Sequence, residues 1–292
     1  AQQLQNDWAA AGKGSVAFDL GGAQSEWVQL RPEYMGNPGL LNILVRQAIA
    51  HSLDRQALND GVFDGRGTMA ESIVPPIEPF YSDVNAAVAH YPLDLRATER
   101  LMNESGYTRG SDGIFVDNAG ERFSFDHITQ GEGSEFERVQ DILVDGWKRA
   151  GIEVRPSVLR SAQVRSSQDR ATWPGIQAYG GSRFERDWTS GEIGTPENRW
   201  TGTNRAGWSN PEYDRLYGSF LVTLDRNERT RQLVRMQQLI SQELPTYFTY
   251  FSVSPMVRVA ELRGPTRSAS ATGTFTHGRD WSWNAHEWEW TS

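Results

Sequence analysis

Residues 45–76 read VRQAIAHSLDRQALNDGVFDGRGTMAESIVPP, and the leucine-rich lead-in LLNILVRQAIAHSL runs into them. Leu41, Leu44, Val45, Ala48, Ile49 and Leu53 recur at helical spacing, so this segment carries an apolar face that must pack against a neighbour. Asp54 stands where an N-cap belongs, its carboxylate able to accept from the free amides that open a second short helix over residues 55–62. Gly61, Gly65 and Gly67 punctuate a turn, and Pro75-Pro76 bars further helix. A helix, a capped second helix and a rigid exit describe structure and name no function.

Composition narrows the classes. A chain of 292 residues allows one large domain or two ordinary ones. The net charge of -8, from 29 basic and 37 acidic residues with no basic tract, argues against nucleic acid as a partner, because phosphate neutralisation needs concentrated positive charge. Lys13 and Lys148 are the only lysines, so arginine supplies nearly all the positive charge. With no cysteine, disulfides, thiolate catalysis and thiolate-bound metals are excluded. No run approaches the roughly twenty apolar residues of a membrane span, and the opening AQQLQNDWAAAGKG lacks the basic-then-apolar order of a signal peptide.

The remaining pattern alternates strand and helix. Residues 2–11 predict a short helix, 15–20 a strand closed by a Gly21-Gly22 turn, and 26–34 another strand. Residues 77–92 read as loop. Asp94 caps a helix that stops at Gly106, and Asp112-Gly113 signals a hairpin with IFVD and RFSFDHIT as arms. The helix over 134–150, capped by Ser134, is followed by Gly151 and a strand over 152–159, which makes a βαβ unit with a parallel pair. A strand at 175–181 runs into a long polar, aromatic and arginine-rich loop over 182–208. Helices follow at 210–223 and 225–245, then strands at YFTYFSV and MVRVAELRG, and a tail where Trp281/Trp283 and Trp288/Trp290 alternate as in a half-buried strand.

The stretch from Val45 to Pro76 resembles the signature of the peptide/nickel class (family 5) of extracellular solute-binding proteins of ABC importers, through Val45, Arg46, Gln47, Ala48, Asp54, Arg55, Gly61, Gly65 and Pro75. Asp94, Ala97, Leu101, Gly106, Tyr107, Asp112 and Gly113 continue the resemblance, as do Gly151-Ile152-Glu153-Val154 and then Trp208, Asn210, Pro211, Tyr213, Asp214, Arg229 and Pro245. It implies an α/β fold, a mixed sheet flanked by helices, forming one lobe of a type II (cluster C) periplasmic-binding-protein fold. It also implies that the chain is a fragment of a longer protein: residues 1–40 a remnant of the first lobe or hinge, 41–260 the ligand-binding lobe, and 261–292 a return toward the first lobe.

Catalytic patterns are missing: GxSxG, HExxH and Walker sequences do not occur, and GRGTMA at 65–70 follows a helix, which makes it a turn and not a phosphate cradle. His51 and Asp54 read as a helix-surface histidine beside a cap rather than a metal site. No enzyme activity and no cofactor are expected. The 179–208 loop supplies aromatic platforms and directed polar groups, so the candidate ligand-binding residues are Tyr179, Arg183, Trp188, Arg199 and Trp200. Peptide-binding members of the family carry W-x-x-D at this strand end. Here Tyr179-Gly180-Gly181-Ser182 stands instead, with Tyr179 in place of the tryptophan and the amine-pairing aspartate missing. The resemblance implies capture of a small polar solute (a peptide, an oligosaccharide, an opine-like compound or a chelated metal) in the periplasm or outside the cell. The partner is then an ABC permease, with membrane contact only through that permease or a lipid anchor of the full-length protein. A second reading, the extracytoplasmic-type ligand-sensing domain of a transcriptional regulator or signalling protein, uses the same fold.

Overall fold

The computed structural model describes residues 2–130, 135–182, 185–265 and 284–291. Their order is α1 (Gln2–Ala11), β1 (Gly14–Val28), α2 (Ile43–His51), α3 (Arg55–Phe63), α4 (Tyr81–Ala87), α5 (Leu95–Glu104), β2 (Thr108–Arg109), β3 (Phe115–Val116), β4 (Ser124–Gln130), α6 (Glu135–Arg149) and β5 (Glu153–Leu159). There follow α7 (Ser161–Arg165), α8 (Ser167–Ala171), β6 (Ile176–Ser182), α9 (Pro211–Val222), α10 (Arg226–Glu243), β7 (Thr246–Val259), β8 (Leu262–Arg263) and β9 (Glu289–Trp290).

A mixed five-stranded sheet, ordered β5-β4-β6-β1-β7, carries a packed layer on each face. One layer joins Leu58, Phe125, Trp147, Tyr247 and Tyr250 around α2, α3, α5 and α6. The other joins Trp27, Trp188, Trp208, Tyr213, Phe248 and Phe251 with α4, α9 and α10. Strands β4, β5 and β6 run parallel, and β1 is antiparallel to both β6 and β7.

Local signals place the helices. Asp54 accepts from the Ala57 amide at 2.9 Å, Asn210 from Glu212 and Tyr213 at 2.9 and 3.0 Å, and Asp225 from Glu228 at 2.8 Å, each satisfying an amide with no partner in its own helix. The β4–α6–β5 unit is parallel as its pattern predicts. Ser134 lies outside the described residues.

Five expectations are corrected. Gly21-Gly22 does not turn the chain: β1 runs through it, and pairing with β7 shifts register between Leu20 and Ala23. A Cβ on Gly21 would sit 2.2 Å from Ser252 Oγ, so a side chain there would require that hydroxyl to turn away. The residues read as two strands after Pro245 form one, β7, through Val259, because they pair along β1, whereas Leu262–Arg263 forms the separate β8. Residues 77–92 contain a helix, α4, whose Val84, with the flanking Phe80 and Val88, faces the layer of α10 at helical spacing. The Asp112-Gly113 turn joins β2 to β3, whereas RFSFDHIT supplies β4 of the main sheet. In the tail Trp290 is 73 % exposed rather than half-buried, and Trp281 and Trp283 lie outside the described residues.

Because β1 lies between β6 and β7, residues 14–28 belong to the same sheet as strands drawn from residues 124–259. Its second half, Ala23–Val28, pairs with both neighbours, while Gly14–Leu20 pairs only with Val253–Val259 and forms a two-stranded ribbon beyond the end of β6.

Candidate functional site

The carboxyl ends of β4, β5 and β6 point the same way, toward the ribbon. In open α/β sheets this is the end at which loops gather around ligands. Ser182, the last residue of β6, lies opposite Ala23, and three residues further along β1 comes Leu20.

The signature turn closes the side of this end. Asp64 caps α3 in a left-handed conformation (φ 52°), and Gly65 follows at φ 74°. The Gly67 amide donates to Asn59 Oδ1 at 2.7 Å. Residues 68–70 then add to the outer edge of β7: the Phe251 amide donates to the Thr68 carbonyl at 2.8 Å, and the Ala70 amide to the Thr249 carbonyl at 3.1 Å. Between this turn and the ribbon lies an open groove of about 570 Å3. Phe18, Leu20, Val253 and Pro255 make its floor, Phe63 one wall, and Asp64, Arg66 and Thr68 its rim.

The signature arginines face inward. Arg55 donates from Nε and Nη2 to the Phe248 carbonyl (3.2 and 3.1 Å) and from Nη1 to the Tyr91 carbonyl (3.2 Å). Arg46 ties the Leu40, Leu41 and Glu243 carbonyls together. Burial lowers both pKa values from the ordinary arginine range. These residues bolt α2 and α3 to β7 and to the end of α10.

The loop after β6 is built on its own hydrogen bonds. Asn204, fully buried, donates to the Trp188, Thr189 and Trp208 carbonyls at 3.3, 3.0 and 2.8 Å. Asp214 accepts from the Ser190 amide and hydroxyl at 2.9 and 2.5 Å. Arg31, on the segment leaving β1, donates to the Gly194 carbonyl at 2.7 Å and lies 4.8 Å from the centre of the Tyr34 ring.

The five candidate residues fall in different settings. Tyr179 lies in β6 opposite Ser25, and Arg183 lies outside the described residues. Trp188 is fully buried and stacks on Trp27 at 3.9 Å and 12°, with Phe248 edge-on at 6.0 Å, so its indole fills the core and offers no face to a solute. Arg199 and Trp200 occupy successive left-handed positions, φ 54° and 61°. Arg199 is exposed, and half-buried Trp200 meets Tyr34 edge-on at 6.0 Å. Trp188 and Trp200 therefore serve opposite purposes, one filling the interior and the other resting on the loop's surface.

Sequence reasoning missed Glu185. It is 7 % exposed with Oε1 unpartnered, Asp187 lies two residues on, and burial, reinforced by Asp187, pushes its carboxyl up to about 7. Tyr213, fully buried, donates its hydroxyl to the Glu185 carbonyl at 2.8 Å. A charged type inside an arginine-rich loop gave no signal of burial. Among the described residues there is no group of three His, Asp or Glu that could hold a metal, and no helix long and apolar enough to cross a membrane.

A mixed sheet with its parallel carboxyl ends opening beside a ribbon defines one lobe of the type II periplasmic-binding-protein architecture. The profile of bacterial extracellular solute-binding proteins, family 5, matches residues 5–198, and the chain belongs to that family. It is 23 % identical over 206 residues to Heme-binding protein A of Haemophilus influenzae, an alignment covering 70 % of this chain and 35 % of that protein. It is 24 % identical over 226 residues to the oligopeptide-binding protein AppA of Bacillus subtilis, covering 75 % and 40 %. The crystal structure of the oligopeptide-binding protein of Thermus thermophilus with a pentapeptide matches at TM-score 0.76 and 26 % identity, covering 96 % of this chain and 49 % of that one. NikZ of Campylobacter jejuni in complex with Ni(L-His) matches at TM-score 0.75 and 16 % identity, covering 98 % and 56 %. The chain thus spans about half the length of these solved structures and less of the curated relatives. These relatives are named as binding proteins, not as regulators, and the sensor reading has no support among them.

Proposed function

We propose that this chain is the ligand-binding lobe of the substrate-binding component of an ABC importer, capturing a small polar solute in the periplasm or outside the cell for delivery to a permease. The observation that carries this reading is the meeting, at the carboxyl end of β6, of the strand end at Ser182 and the ribbon groove. Solute would lie against this end, with Tyr179 and Arg183 as its candidate contacts. Capture would then proceed by closure of a second lobe, the solute shifting an open–closed equilibrium by its differential affinity. Peptide, heme and nickel-histidine binding among the relatives favours a family-wide scaffold with variable contacts.

The test is a thermal-shift screen of the chain, and of the longer protein containing it, against short peptides, oligosaccharides and nickel chelates. Binding at a hundredfold excess over Kd stabilises by about 2.7 kcal/mol. A shift with one class, lost when Arg183 becomes alanine, is the expected result. No shift with any class in the folded longer protein overturns the proposal.

A further inference from the structure

Residues 71–90 make an excursion from the lobe and back. The chain leaves the edge of β7 at Ala70, whose amide donates to the Thr249 carbonyl at 3.1 Å. It returns at Tyr91, whose carbonyl accepts from Arg55 at 3.2 Å. His90 fastens the excursion at two points. Its Nδ1 lies 2.5 Å from Glu71 Oε2, which joins the two ends, and its Nε2 lies 2.8 Å from the Asn85 carbonyl. That carbonyl belongs to the last turn of α4, where the residue four positions on, Ala89, gives its amide to Ser241 Oγ of α10 at 2.9 Å instead. The imidazole thus supplies the donor that the helix end lacks.

A carboxylate and a backbone carbonyl both accept. A neutral imidazole carries a single N–H, so one of the two would then face a nitrogen lone pair, and only the imidazolium donates to both. Glu71 is the carboxylate facing the ring, and its hydrogen bond raises the His90 pKa from the ordinary 6.5. Arg55, on α3, is the cation that opposes the charge, α4 presents the Asn85 carbonyl, and α10 presents the uncharged Ser241. The excursion also walls an interior space: Glu71, Ala89 and Tyr91 line a cavity of about 20 Å3, room for one water molecule, together with Arg55, Tyr247 and Phe248.

We infer that His90 is a pH-operated clasp: as an imidazolium it ties both Glu71 and the Asn85 carbonyl and closes the 71–90 strap, and on losing its proton it gives up one of the two bonds and loosens the end of α4. These contacts all lie within this lobe, so the clasp does not depend on the solute reading. The folded chain holds this proton more tightly than the unfolded one. The clasp is therefore fully present below about pH 6.5 and is lost as pH rises through the raised, folded-state pKa.

The experiment is a pH titration of the chain isotope-labelled at histidine, in which proton–nitrogen correlation spectra read the protonation of each ring nitrogen. Backbone hydrogen exchange is measured on the same samples. His90 should carry protons on both nitrogens at its ordinary pKa of 6.5 and titrate with a midpoint above it, and the midpoint should fall by about one unit in Glu71→Gln. Through the midpoint, protection of the Val88 and Ala89 amides should drop about tenfold relative to the amides of β4. In His90→Gln that pH-dependent drop should vanish. His90 is exposed and Glu71 half-buried, so both variants should fold, which circular dichroism verifies, and the wild-type titration needs neither. A midpoint at or below 6.5, or one unmoved by Glu71→Gln, overturns the imidazolium clasp. Protection that stays constant through the midpoint, or a drop retained in His90→Gln, overturns the loosening of α4.

Discussion

The imidazole Nε2 of His127 lies 2.7 Å from Glu26 Oε2, with both residues buried, and the pair spans the intervening strand β6. Ala178, opposite Glu26 in register, is small enough for the contact to pass over that strand. Gln140 completes the set, its amide 2.9 Å from His127 Nδ1 and donating to the Ser157 carbonyl at 3.2 Å. Removing one partner of a buried pair leaves the other uncompensated, which costs about 3 kcal/mol or more. Glu26→Ala and His127→Ala should each destabilise by that order, and the double variant by clearly less than their sum. Urea titration of the four proteins measures the coupling, and additive losses would show that the two groups act independently.

Glu185 should make stability depend on pH. Its carboxyl is raised from 4.5 to about 7 by burial, so the folded chain holds the proton more tightly than the unfolded one. The contribution is fully present below about 4.5 and is lost as pH rises through about 7. At roughly 1.4 kcal/mol per pKa unit this amounts to about 3 kcal/mol. Glu185→Gln should be close to wild type at pH 4 and more stable at pH 8. A difference that stays constant between those pH values would contradict the assignment.

Arg55 holds two carbonyls on different segments, Phe248 in β7 and Tyr91 before α5. Arg55→Ala leaves those carbonyls without their charged donor, and the expected loss is about 2–4 kcal/mol. Solute affinity in the surviving folded fraction should be unchanged. A variant of full stability and reduced affinity would instead place Arg55 at the solute.

Trp188 and Arg199 should separate stability from binding. Trp188→Ala empties a stacked, fully buried site and should cost about 3–5 kcal/mol. Arg199→Ala removes an exposed side chain and should change stability by no more than about 0.5 kcal/mol. Any loss of solute binding in Arg199→Ala would then be a contact effect. Denaturation and calorimetry on the same samples distinguish the two.

Much of the scaffold was legible because its determinants are local. Asp54, Asn210 and Asp225 are read as caps from a few residues of context, since a cap bonds to amides only two or three positions away. The β4–α6–β5 crossover follows from periodicity and a glycine stop. Gly21-Gly22 misled because two glycines signal a turn in isolation, whereas the long partner strand β7 holds them extended through a register shift. The 77–92 segment misled because its proline and aromatics hid a two-turn helix that is stabilised by packing on α10 rather than by propensity.

The candidate site divides along the same line. The sequence alone determined that the loop after β6 is long, aromatic and arginine-rich, that the signature turn is glycine-punctuated, and that no thiol chemistry is available. Only the tertiary structure decided that Trp188 stacks on Trp27, that Glu185 is closed off beneath Tyr213, and that Phe18, Phe63 and Val253 share one groove. Burial and concavity depend on which distant segments meet. The free energy of a carboxylate or an indole depends on that environment as much as on its own identity.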